Sequence, residues 1–144
     1  MIRYPQDYEV RSRSAAGMDT RWNALALAGT ELACAIPPEF EGPGGGASPE
    51  DLYAMALLNC FVATFKVFAQ KSRVEFRELD AHGVLTVDRD EKGVPWMARF
   101  KLSATLHGAA DGERALQLLE KTSRSCMILN SVKTEKTFEF GVQP

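Results

Sequence analysis

The chain has 144 residues, 45% hydrophobic and 25% charged, with a formal net charge of −2. That composition describes a folded domain with enough apolar residues for a core, and it excludes a disordered chain. No basic field is available to attract a nucleic-acid backbone. Three cysteines and two histidines, with no C-x-x-C spacing, argue against both a disulfide scaffold and a zinc site. The first residues, Met1-Ile-Arg-Tyr-Pro-Gln-Asp-Tyr8, are polar and lack an apolar leader. The sequence is therefore expected to work in the cytoplasm, where thiols stay reduced.

Strands are expected first, at residues 8–13, 22–27 and 31–36, with the last two paired around a turn at Gly29. Pro37-Pro38 ends the third, because proline has no N–H for a ladder. The stretch Glu41-Gly-Pro-Gly-Gly-Gly-Ala47 reads as a loop. A helix then starts with Ser48 as N-cap, Pro49 at the first helical position and Asp51 closing a variant capping box. It runs to about Lys71. Its apolar residues point in all directions, so the expectation is a helix surrounded by protein. Asn59, Thr64 and Lys66 inside it argue against a membrane span.

Two more strands are expected at residues 75–88 and 95–106, joined by the polar turn Asp88-Arg-Asp-Glu-Lys-Gly93. Trp96, Ala98, Phe100, Leu102, Ala104 and Leu106 keep period two and predict one buried face. Asp111 is placed to cap a second helix over 112–124, with Ala115, Leu116, Leu118 and Leu119 as its buried stripe. A final strand at 134–142 carries Phe138 and Phe140 on one side. The order predicts a single α+β domain over residues 1–144 with a mostly antiparallel sheet.

The chemistry-bearing candidates are few. Cys60 sits inside the apolar helix, between Asn59 and Phe61, and Cys126 follows the second helix in Ser125-Cys126-Met127-Ile128. Cys34 precedes Pro37-Pro38 and reads as a buried strand thiol. A cysteine reacts as its thiolate, with an ordinary pKa of about 8.5. Burial in apolar surroundings raises that value. A reactive Cys60 thus requires a cation or well-placed donors; without them it is a small hydrophobe. His82 and His107 read as surface residues, and no Ser-His or Cys-His arrangement suggests a hydrolase. Asn59 is a polar group that needs a partner if buried. Met18, Met55, Met97 and Met127 are candidates to line an apolar pocket, or to fill a core.

Three features occur together: Gly44-Gly-Gly-Ala-Ser48-Pro49-Glu50, then Cys60-Phe61, then Cys126-Met-Ile-Leu-Asn130. With that spacing the whole chain resembles the OsmC/Ohr family, the osmotically inducible protein C and organic hydroperoxide resistance proteins. The resemblance implies an intertwined homodimer, with mostly antiparallel sheets packed around a long buried central helix. It implies a thiol peroxidase in which Cys60 attacks an organic hydroperoxide and Cys126 resolves the sulfenic acid as a disulfide. A dithiol, often lipoyl-linked, serves as reductant, and neither metal nor organic cofactor is called for. The implied role of Glu50 is to orient an arginine that stabilises the thiolate. By ungapped counting, however, Met18 and Glu39 stand where the two branches of the family carry that arginine. Met127 replaces the proline after the second cysteine, and Arg11, Arg13 and Arg21 are the candidates to supply the charge from a shifted position. The departure keeps a second reading open: a family member without turnover that binds a small apolar ligand in the dimer cleft.

Apolar Leu57, Leu58, Phe61 and Phe65 around Cys60 favour a bulky hydroperoxide over hydrogen peroxide. Glu50 and Cys60, ten residues apart on one helix, are separated by about 15 Å along its axis. Any service of Glu50 to Cys60 is therefore expected across a dimer.

Overall fold

The computed structural model describes residues 1–144. The chain forms two compact units, Met1–Leu52 and Tyr53–Pro144. In the first, β1 (Val10–Arg13), β2 (Trp22–Ala26) and β3 (Thr30–Cys34) make an antiparallel meander in the order β1-β2-β3. Gly29 turns the chain between β2 and β3 with φ of 117°, a conformation that favours glycine. The glycine loop then returns beside β3, where Ala47 N–H donates to Ala33 C=O and Ala35 N–H donates to Ala47 C=O. A Cβ on Gly46 would sit 2.9 Å from the Cys34 backbone. Glycine there is what permits the approach.

Helix α1 (Pro49–Lys71) opens with the expected reciprocal cap. Asp51 N–H donates to Ser48 Oγ at 3.0 Å, and Ser48 N–H donates to Asp51 Oδ2 at 3.1 Å. The rest of α1, with β4 (Glu78–Arg89), β5 (Pro95–His107), α2 (Gly112–Ser125) and β6 (Glu135–Gln143), builds the second unit. Its sheet order is β4-β5-β6. β4 and β5 form the expected hairpin, closed by Asp90, whose carboxylate accepts from Lys92 N–H and Val94 N–H at 2.8 and 2.9 Å. β6 pairs parallel to β5, because α2 carries the chain back across before β6 begins.

Period two on β5 holds: Ala98, Phe100, Leu102, Ala104 and Leu106 are buried, while Trp96, near the hairpin tip, remains exposed. Phe100 lies over Gly83, where a Cβ would come within 2.4 Å of its ring. On α2 the buried stripe is Ala115, Leu118, Leu119 and Thr122. Leu116, expected in that stripe, is exposed, since the i, i+3, i+4, i+7 rhythm set by Ala115 passes it by.

α1 departs from expectation in one respect. Within the chain a single face is buried, through Leu57, Phe61, Phe65 and Ala69 at every fourth residue. Phe61 stacks on Phe140 of β6 at 5.5 Å, and Phe65 meets Phe76 at 5.4 Å. Full burial of such side chains contributes about 1.5–3 kcal/mol each. Met55 and Val67 remain exposed on α1, and the helix is long and apolar enough to cross a membrane by length and composition.

Candidate active site

The second unit brings Cys60 and Cys126 together. α1 supplies Cys60, half-buried against the core that also contains Cys126. α2 supplies Cys126, its C-cap residue, which leaves the helix in extended conformation and is fully buried. Asp111 holds the other end of α2 by accepting from Arg114 N–H at 3.1 Å. Beyond Cys126 the chain makes one tight turn, with Asn130 N–H donating to Cys126 C=O and Ser131 N–H donating to Ile128 C=O. Asn130 Nδ2 also donates to Arg124 C=O at 3.0 Å, tying the turn to the last turn of α2. This turn aims the Ile128 main-chain N–H at Cys60 Sγ, 3.4 Å away.

The two sulfurs differ in hydrogen-bond polarity. Cys126 Sγ donates to Thr122 C=O at 3.2 Å. Cys60 Sγ accepts from Ile128. Burial is the main cause that pushes the Cys126 thiol up to about 11, and the facing Cys60 adds to the shift, while a hydrogen bond with the Thr64 side chain opposes it. At neutral pH Cys126 is therefore a thiol. The arrangement can carry thiol–disulfide chemistry in which the half-buried sulfur reacts first and the buried one follows.

Thr64 and the Ile128 amide were not singled out from sequence. Thr64 lies one helical turn after Cys60, a spacing that puts both side chains on one face. Nothing in the sequence marks the Ile128 N–H, since its approach to Cys60 spans 68 residues.

The other candidates lie elsewhere. Glu50 belongs to the first unit, and its Oε2 is buried without a hydrogen-bond partner. Arg21 Nε donates to Gly44 C=O at 2.7 Å, within that same unit. Cys34 is buried with Leu32 C=O 4.0 Å from its sulfur. Asn59 is exposed and donates to Met55 C=O of its own helix, so no external partner is needed. Among the apolar neighbours of Cys60, Leu57, Phe61 and Phe65 are committed to the core, which leaves Leu58 part-exposed. Met18, Met55 and Met127 are exposed rather than gathered into a pocket lining. A surface cleft of about 470 Å³ opens beside Asp88, Trp96 and Arg99, at the tip of the β4–β5 hairpin.

The family model of OsmC-like proteins matches residues 42–141. The chain belongs to the OsmC-like protein family. An uncharacterized protein of Bacillus subtilis, YmaD, is 26% identical over 102 residues, covering 68% of each chain. Among solved structures, an OsmC-like protein of unknown function from Vibrio cholerae superposes with a TM-score of 0.83 at 16% identity, covering 94% of this OsmC-like chain and 99% of that one. An organic hydroperoxide resistance protein OsmC from Legionella pneumophila gives a TM-score of 0.74 at 18% identity, with 97% and 100% covered. The organic hydroperoxide resistance protein OhrB of Bacillus subtilis gives 0.68 at 16%, with 93% and 97% covered. These likenesses establish the fold, α+β with the OsmC-like arrangement of sheets and helices.

Proposed function

We propose that this OsmC-like chain is a cytoplasmic thiol peroxidase that reduces organic hydroperoxides. The observation that carries the reading is the juxtaposition of Cys60 and Cys126 with opposite hydrogen-bond polarity. The Cys60 thiolate attacks the terminal oxygen of ROOH and breaks the O–O bond. The alkoxide leaves and takes a proton as ROH, and Cys60 becomes a sulfenic acid. Cys126 then attacks that sulfur. The S–S bond forms, and the hydroxyl leaves as water with the Cys126 proton. An external dithiol returns both sulfurs to thiols and is itself oxidised to a disulfide. Exposed Met127 and Ile128, on the turn beside Cys60, together with Leu58, supply the apolar surface a bulky hydroperoxide requires.

The working form in this reading is a homodimer. The exposed apolar side of α1 and the unpartnered Glu50 carboxylate oxygen support it, since a buried acceptor normally has a partner. Glu50 then positions a cation for the partner's thiol. Light scattering of the purified chain is expected to give twice the monomer mass.

Treatment of reduced protein with cumene hydroperoxide tests the chemistry. Peptide mapping is expected to show a Cys60–Cys126 disulfide, with sustained turnover when dihydrolipoamide is supplied. Thiols that survive the peroxide unchanged would overturn it. They would favour a second reading, binding of a small apolar ligand without turnover. One observation speaks for that reading: no arginine or lysine side chain hydrogen-bonds either sulfur.

A further inference from the structure

We propose that the main-chain N–H of Ile128 is the donor that holds the Cys60 sulfur in its ionised form, the part a cationic side chain plays in the resemblance. The inference rests on Cys60 being the reactive thiol of the peroxidase reading, and it names the group that makes it reactive. Ile128 N lies 3.4 Å from Cys60 Sγ, and this is the bond its N–H makes. The neighbouring amides of Asn130 and Ser131 are committed within the turn, to Cys126 C=O and Ile128 C=O. The turn is thereby fixed, and the donor is held in place with no side-chain rotamer freedom to lose.

The surrounding bonds give the donor its meaning. Cys126 Sγ donates to Thr122 C=O at 3.2 Å, and Cys60 lies within side-chain hydrogen-bonding reach of the same thiol. The Thr64 side chain, one helical turn beyond Cys60, opposes the rise in the Cys126 pKa. Cys60 accepts from a main-chain amide held by the turn, an interaction that strengthens when the acceptor is charged. The titratable group facing Cys60 is Cys126. Lys66 on α1 and Arg124 at the end of α2 are exposed, and neither side chain bonds either sulfur; β6 contributes Phe140 to this core. The substitution of Met127 for the family's proline falls one residue before this amide.

The φ of Ile128 is −67°, the value proline imposes. Ile128→Pro thus removes the N–H while matching the native φ, and Ile128→Ala removes the side chain while keeping the N–H. The experiment is peptide-resolved alkylation of Cys60 by iodoacetamide as a function of pH, in the full chain. The Ile128→Pro midpoint is expected to rise by about one pH unit or more, the scale of a hydrogen bond to a charged group. Ile128→Ala, which keeps the N–H, is expected to leave the Cys60 alkylation midpoint at the wild-type pH, whatever the loss of its side chain does to hydroperoxide binding. Identical profiles for all three proteins would overturn the proposal. If Ile128→Pro does not fold, the unsubstituted chain supplies the readout: the ¹⁵N-resolved Ile128 amide proton should shift with the Cys60 alkylation midpoint, and a flat resonance would overturn the proposal equally. A shifted alkylation profile without peroxide turnover would sustain the amide's role and count against the peroxidase reading alone.

Discussion

Cys34 and Cys126 are buried to the same degree, at 1% and 0% exposure, yet their surroundings differ in kind. Cys34 lies at the end of β3 in a small unit, where its sulfur has a weak hydrogen bond to Leu32 C=O at 4.0 Å. Cys126 faces a second sulfur and donates to Thr122 C=O, with the Thr64 side chain opposing the rise in its pKa. Burial alone makes a cysteine an inert hydrophobe. A pair of neighbouring sulfurs whose hydrogen bonds run in opposite senses is the arrangement on which the proposed redox chemistry rests. The contrast follows from architecture. The second unit has two helices packed with one sheet, so a residue of α1 and the end of α2 meet. The first unit has a three-stranded meander and a glycine loop, and it holds no second cysteine to pair with Cys34.

Peroxide turnover gives the sharpest test of that contrast. Cys60→Ser is expected to lower the rate of cumene hydroperoxide consumption by roughly a hundredfold or more, since the nucleophile itself is lost. Cys34→Ser should stay within about twofold of the wild type, because Cys34 touches no reacting atom. Equal losses in the two variants would erase the distinction between the regions.

Alkaline stability reads the buried Cys126 thiol on a smaller scale. Burial pushes the Cys126 thiol up to about 11 in the folded chain, well above an ordinary thiol. A raised value means that the unfolded chain ionises first. The contribution is fully present below pH 9 and is lost as the pH rises towards 11, by up to about 3 kcal/mol. Urea unfolding at pH 8 and pH 10.5 should show that fall in the wild type. Cys126→Ser keeps a donor for Thr122 C=O and should flatten the alkaline limb. A curve unaffected by Cys126→Ser would place the alkaline sensitivity elsewhere.

The smallest effect concerns the scaffold that delivers Cys126. Asp111→Ala removes the N-cap of α2 and should cost about 1 kcal/mol in urea unfolding. Because the cap lies at the far end of α2 from Cys126, peroxide turnover at 25 °C should be retained. The exposed Lys101–Glu139 pair on the sheet, at 3.2 Å, marks the lower bound, expected at less than about 1 kcal/mol.

Much of the fold was legible because its signals are local. The Ser48–Asp51 reciprocal cap, the Asp111 cap, the Gly29 turn and the alternation along β5 each depend on residues a few positions apart, and all appear as expected. Leu116 misled because composition marked it apolar while the helical angle turned it outward. The parallel pairing of β6 with β5 depends on where α2 returns the chain, which no local pattern encodes. The same division holds at the site. Cys60 and Cys126 were visible as residues, whereas Thr64 and the Ile128 amide acquire meaning only through contacts with the other helix or turn.

The sequence by itself determined the element order, the helix caps, the buried face of β5 and the two cysteines that the OsmC/Ohr resemblance singles out. Tertiary structure decided that these cysteines meet, which sulfur donates and which accepts, and that a main-chain amide 68 residues along the chain supplies the hydrogen bond to Cys60. The physical reason is range. Caps, turns and periodicity act over a few residues, whereas the ionisation of a thiol is set by whatever donors and apolar atoms the completed fold places within about 4–6 Å of the sulfur.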